Sequence, residues 1–221
     1  MTITFLNLYN EIAAQPWSMF DSNAESESDF EPALVSTINK ALVDIWYSYP
    51  FSFRLKTHSL ITFPKQATYD LPQGNIKNET NIEENLFSVS INGKYLEYTD
   101  EPQESQITGT PTSFSIENDS IILSPIPDKK YVIKIKYLTL AIGYDKDDNE
   151  IFCLEKPTDY ILIPEKYETL FKNVVIAKTL LESIVSVNDD NYVGYKLQFD
   201  KAYKLFLKVT NPVQKSKAIK I

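Results

Sequence analysis

Apolar residues recur at three- and four-residue steps at both ends of this chain and at every second position between them. Phe5, Leu6, Tyr9, Ile12 and Ala13 predict a short first helix ending near Pro16. Pro32 suits the first position of a second helix, whose apolar stripe runs through Leu34, Ile38, Leu42, Ile45 and Trp46. Tyr49-Pro50 stops it, because the residue before a proline avoids the α region. Helical spacing returns at Ile163-Pro164-Glu165. From Leu170 to Val187 the pattern is apolar on more than one face, through Phe171, Val174, Val175, Ile176, Leu180 and Ile184. Such a helix must be covered on two sides, and the second cover is expected from a neighbouring subunit. Asp189-Asp190 can cap a last helix with a seam at Tyr195, Phe199, Ala202 and Phe206, the spacing of a helix packed on a partner helix.

Between the ends the period changes to two. Leu60 to Phe63 and Ala67 to Leu71 flank a turn at Pro64-Lys65-Gln66, and Phe114 to Glu117 and Ile121 to Leu123 flank Asn118-Asp119. Leu86 to Ile91 and Lys94 to Tyr98 flank Asn92-Gly93, a strong hairpin signal. Tyr131 to Leu140 alternates most clearly, with Tyr131, Ile133, Ile135 and Tyr137 on one side and Val132, Lys134, Lys136 and Leu138 on the other. The fold class read from this order is α+β. An antiparallel helical bundle forms from residues 1–50 and 160–210, with a small antiparallel β-sandwich or barrel inserted over 51–159. Pro212 breaks the last helix and leaves 211–221 as an extended basic tail.

Composition narrows the chemistry. At 221 residues the chain can bury roughly 70% of its unfolded surface, so it needs no disulfide or metal to fold. Cys153 and His58 are each alone, which leaves no material for a disulfide framework, a Cys/His zinc site or a nucleophile–histidine pair. Five scattered glycines build neither a phosphate loop nor a dinucleotide fingerprint. Asp145, Asp147 and Asn149 match the opening spacing of an EF-hand loop, but Glu150 stands where its glycine belongs and Lys156 where its glutamate does. No catalytic residue, cofactor or metal is expected, and the chain does not read as an enzyme. The net charge of −8 argues against general nucleic-acid binding, though DNA can slide past an acidic wall. The first residues, Met1-Thr2-Ile3-Thr4-Phe5, carry no basic leader, and no apolar run is long enough to span a bilayer. The acidic stretch from Asp21 to Glu31 reads as solvated surface. The 14 tyrosines and 12 phenylalanines suit either subunit interfaces or strands.

One succession is more specific than its composition. Gly109-Thr110-Pro111 leads through Phe114 and Ile116 to Ile121-Ile122-Leu123-Ser124-Pro125-Ile126-Pro127-Asp128, then to Tyr131-Val132-Ile133-Lys134-Ile135-Lys136-Tyr137. It resembles the head-to-tail adaptors of short-tailed phages, the tail tubular protein A or connector ring family. Ile45-Trp46 with Tyr49-Pro50-Phe51, Ala67-Thr68-Tyr69-Asp70-Leu71-Pro72 and Leu162-Ile163-Pro164-Glu165-Lys166-Tyr167 extend the similarity over nearly the whole chain. The resemblance implies a structural virion protein of the neck or tail, made in the host cytoplasm and having no contact with a membrane. It implies a homo-oligomeric ring, usually of about twelve copies, beneath the portal protein. Further implied partners are the tail nozzle or tubular protein, other ring proteins, tail fibres, and double-stranded DNA in passage. Two alternatives stay open: another neck or tail-fibre attachment ring protein, and a β-sandwich module binding carbohydrate or peptide. The candidate partner-binding residues are Val213, Lys215, Lys217, Ile219, Lys220 and Ile221 in the tail, which could order on docking, and Val175 and Ile176 on the two-faced helix.

Overall fold

The computed structural model describes residues 3–15, 23–71, 86–100, 107–117, 120–183 and 192–210. They are mixed α and β and divide into two compact units. One lies within Arg54–Leu140, the other within Met1–Phe53 together with Ala141–Pro212.

The described residues of the Arg54–Leu140 unit form strands and the turns between them. Its first sheet centres on β10 (Val132–Leu138), which pairs antiparallel with β1 (Leu55–Ile61) and with β3 (Leu86–Ile91). Ile133, Ile135 and Tyr137 of β10 are buried while Val132, Lys134 and Lys136 are exposed, as the alternation requires. A tight turn at Asn92-Gly93, with φ of 50° and 80°, joins β3 to β4 (Lys94–Tyr95). Positive φ at both central residues is what a two-residue hairpin demands and what Asn and Gly tolerate. The chain then leaves this sheet at the buried Leu96. β5 (Glu97–Tyr98) pairs parallel with β7 (Ser113–Glu117) in a second sheet, completed by β8 (Ser120–Ser124) and β2 (Thr68–Asp70). A short parallel pair joins β6 (Thr108–Gly109) to β9 (Ile126–Pro127). Both four-stranded sheets feed one core that includes Tyr69, Val89, Phe114, Leu123, Ile133 and Ile135.

Three expectations change here. Among the described residues no sheet closes into a barrel, and two of the pairings are parallel. The strand expected from Leu60 begins at Leu55, because seven consecutive residues register against β10 despite the polar Lys56, Thr57, His58 and Ser59. The strand expected over Lys94 to Tyr98 is split between two sheets at Leu96.

The second unit holds the helices α1 (Phe5–Ala13), α2 (Pro32–Tyr47), α3 (Glu168–Glu182) and α4 (Tyr192–Val209). Thr4 caps α1, its hydroxyl accepting from the Asn7 amide at 3.3 Å, and Pro32 occupies the first turn of α2. A 3₁₀ turn at Glu165–Tyr167 leads into α3, which packs against α1, α2 and α4. The same unit contains a small antiparallel sheet of β11 (Gly143–Tyr144), β12 (Glu150–Ile151) and β13 (Tyr160–Ile161). Its residues 141–159 read with the β block in sequence yet pack with the helices. The ties are backbone bonds to the first residues: the Phe5 amide donates to the Asp159 carbonyl at 2.7 Å, and the Ile161 amide to the Ile3 carbonyl at 3.0 Å. One core joins Leu8, Ile38, Trp46, Ile142, Phe171 and Phe206.

The two-faced helix ends differently from its sequence reading. α3 stops at Glu182, and α4 of the same chain packs along its second side. No helix among the described residues is long and apolar enough to cross a membrane.

Candidate functional site

The acidic turn between β11 and β12 uses its own ligands. The Asp145 carboxylate accepts from the amides of Asp147 and Asn149, both at 2.9 Å, and from the Asn149 side-chain amide at 3.0 Å. The Asn149 side-chain hydrogen bond leads in holding this exposed carboxyl below its ordinary value. Its oxygens therefore close a turn. Among the described residues no cluster of His, Cys, Asp and Glu could hold a metal ion. Cys153 is exposed, and partial burial followed by a hydrogen bond to Glu155 pushes its thiol up, away from the thiolate a nucleophile needs.

The pieces of the Gly109–Tyr137 succession meet in space. β6 and β9 bring Gly109 beside Pro127, and the buried Tyr131 sends its hydroxyl to Thr110 and Asp128, the residues that follow them. That hydroxyl donates to Asp128 Oδ1 at 2.6 Å and lies 2.7 Å from Thr110 Oγ1. The Gly-x-Pro, Pro-Asp and Tyr elements thus form one hydrogen-bonded knot. Tyr131→Phe is expected to lower stability by about 1–2 kcal/mol, because it removes a bond to a carboxylate while keeping the ring. Thermal unfolding of the two proteins reads the difference.

A surface built by α3 and α4 is the strongest candidate for partner contact. Val175, expected to face a partner, is fully buried in the helical core and has no free surface. The reason is the cover from neighbouring helices already described. Ile176 is half-buried and opens on a shallow groove of about 430 Å³, lined also by Gln15, Asn173, Gln198, Lys201, Ala202 and Leu205. The tail positions Val213, Lys215, Lys217, Ile219, Lys220 and Ile221, and the capping pair Asp189-Asp190, lie outside the described residues.

α4 departs from its expected seam. Only Phe206 of this helix is fully buried, and Phe199, Ala202 and Tyr203 are half-buried against the core. The opposite side carries Val193 at 74% exposure and Leu197 at 53%, with Lys201, Lys204 and Lys208 beside them. These positions fall on one helical face, opposite Phe206. Sequence reasoning missed this face because the seam Tyr195–Phe206 accounted for the helix. The signal was present in the spacing of Val193 and Leu197 among lysines.

A charge network fixes α3 to α2 beside this surface. Lys178 Nζ lies 2.6 Å from Glu182 and 3.0 Å from Asp44, and Lys40 also pairs with Glu182. Burial alone pushes the Glu182 carboxyl up, but hydrogen bonds from Lys178 and Lys40 and their charges outweigh it and hold the group below its ordinary 4.5. The folded carboxyl is therefore the stronger acid. Its contribution to stability is complete above a pH of 4.5 and is lost as pH falls through the lower folded value. Glu182→Gln should cost about 0.5–1 kcal/mol at neutral pH and flatten that acid limb, as urea titrations at stepped pH would show.

Compared with known proteins, the chain matches no family model and no curated protein.

Proposed function

We propose that this chain is a non-enzymatic structural subunit of a virion ring, an adaptor joining the portal to the tail of a short-tailed phage and forming part of its DNA channel. The observation that carries the reading is the ordered succession from Gly109 to Tyr137, which resembles that family and whose separated elements converge on Tyr131. The two-unit layout supports it: helices from both chain ends share one core, and the strands between Arg54 and Leu140 share another. In this reading the helical unit is an antiparallel bundle that lines the channel and meets neighbouring copies. The β unit is a sandwich turned toward tail components. A net charge of −8 per copy gives the assembled ring an acidic bore past which DNA moves without sticking. The C-terminal segment with Lys215, Lys217 and Lys220 offers a handle for the portal.

The test is to mix the purified chain with portal rings and image the product by negative stain. A closed ring seated on the portal is the expected result. A lone monomer that ignores the portal and binds glycans would replace this reading with that of a carbohydrate-binding module.

A further inference from the structure

We infer that copies of this chain associate head to tail, the outward face of α4 on one copy meeting the acidic segment Glu25–Glu31 of the next. The inference deepens the ring reading above and rests on it for the final number of copies. Three observations carry it.

The first is an unpartnered face. Val193 and Leu197 stand exposed among Lys201, Lys204 and Lys208 on the side of α4 turned away from Phe206. Two large aliphatic side chains exposed between charges on one helix are a small apolar centre with a charged rim, the anatomy of a protein interface.

The second is charge segregation. Residues 1–53 hold seven Asp and Glu against one Lys, and residues 192–221 hold seven Lys against one Asp. Within one copy, the acidic groups of α1 and α2 that find partners use lysines of α3: Glu11 pairs with Lys172 and Asp44 with Lys178. Among the described residues, Lys201, Lys204 and Lys208 make no ion pair, and neither do Glu25, Glu27 and Glu31. Among the described residues, each copy therefore displays a basic helix face and an acidic segment without ion-pair partners, and a second copy supplies what each lacks.

The third is preorganisation. The acidic segment is held against α1 by named bonds. The Asn10 side chain both donates to the Ala24 carbonyl, at 3.0 Å, and accepts from the Ala24 amide, at 3.1 Å. Tyr9 accepts from the Glu31 amide at 3.0 Å, while the Asp29 carboxylate accepts from the amides of Glu25 and Ser26 at 2.9 and 2.8 Å. The backbone is thus fixed while the Glu25, Glu27 and Glu31 side chains remain exposed, so little ordering entropy opposes docking. Because the two surfaces differ, the contact is heterologous and propagates to a closed ring or an open filament. Nucleic acid is the less suited occupant of the α4 face, since it offers the lysines phosphates but gives Val193 and Leu197 nothing apolar to cover them.

Sedimentation of the full chain at low ionic strength is expected to show growth beyond dimers with rising concentration, reversed by salt. The double variants K204E/K208E and E27K/E31K should each associate roughly a hundredfold more weakly, because like charges then face each other. Both should keep the wild-type circular dichroism and unfolding midpoint. An equimolar mixture of the two should associate again, a result that misfolding cannot produce. The contact is overturned by a wild type that stays monomeric or stops at dimers. Variants that associate normally, a mixture that fails to recover, or lysine-dependent binding of double-stranded DNA would overturn it equally. Rings that form on the portal despite K204E/K208E would discard this contact and keep the adaptor reading. Charge-dependent association without portal capture would do the reverse.

Discussion

Phe206→Ala is expected to lower the unfolding free energy by about 3–5 kcal/mol, the range for emptying a well-packed aromatic site. Phe206 is the one residue of α4 that is fully buried, and its ring lies 5.2 Å from Phe51, 5.6 Å from Phe171 and 6.4 Å from Phe53. Removing it deletes those ring contacts and the main anchor of α4 on α3. Its two nearest ring neighbours, Phe51 and Phe171, are themselves fully buried. Phe199 has the same place in the sequence pattern and a different place in the fold. It is half-buried, stacked on Tyr203 at 5.4 Å with Lys178 Nζ 5.6 Å from its ring, so Phe199→Ala should cost only about 1 kcal/mol. Urea titration followed by tryptophan fluorescence separates the two, since Trp46 contacts Phe171 in the same core at 6.1 Å. Equal losses at both positions would return them to one seam.

Gly143→Ala should destabilise the helical unit by about 3 kcal/mol or more, a large effect for a single methyl group. A β-carbon at 143 would stand 2.1 Å from the Tyr160 carbonyl oxygen, 3.0 Å from its carbon and 3.3 Å from the Ile161 α-carbon. All three are backbone atoms, so no side chain can rotate away. Relief requires β13 to part from β11. That separation would disturb the Thr4–Tyr160 bridge and the Leu162 amide bond to the Ile142 carbonyl at 3.0 Å. The docking of α1 on this segment would loosen with it. Gly109→Ala is the control: its nearest neighbour is Pro125 Cβ at 3.8 Å, ordinary contact, so the change should stay within about 0.5 kcal/mol. Thermal unfolding of both variants checks the difference, and a neutral Gly143→Ala would mean the strands are spaced more widely than described.

Local chemistry explains what could be read from residues alone. Pro32 opens α2 because its missing amide donor is not needed there. Asn92-Gly93 makes the β3–β4 turn because both residues accept positive φ. The alternation of β10 separates Ile133 and Ile135 from Lys134 and Lys136 because successive side chains leave a strand on opposite sides. Each of these signals is carried within a few residues, so no knowledge of the partner element is needed.

Decisions that depend on distant partners were settled only by tertiary structure. Leu55–Ser59 is strand because each of its residues has a registered partner on β10, a fact absent from its own polar pattern. The chain changes sheets at Leu96, whose burial and amide bond to the Val89 carbonyl at 2.9 Å arise from strands elsewhere in the chain. Residues 141–161 pack with the helices because their backbone partners are Ile3, Thr4 and Phe5. Periodicity likewise distinguishes the faces of a helix without saying which will be covered. Val175 became core and Val193 stayed exposed because α3 has neighbours on several sides, whereas α4 turns only one side to its own chain.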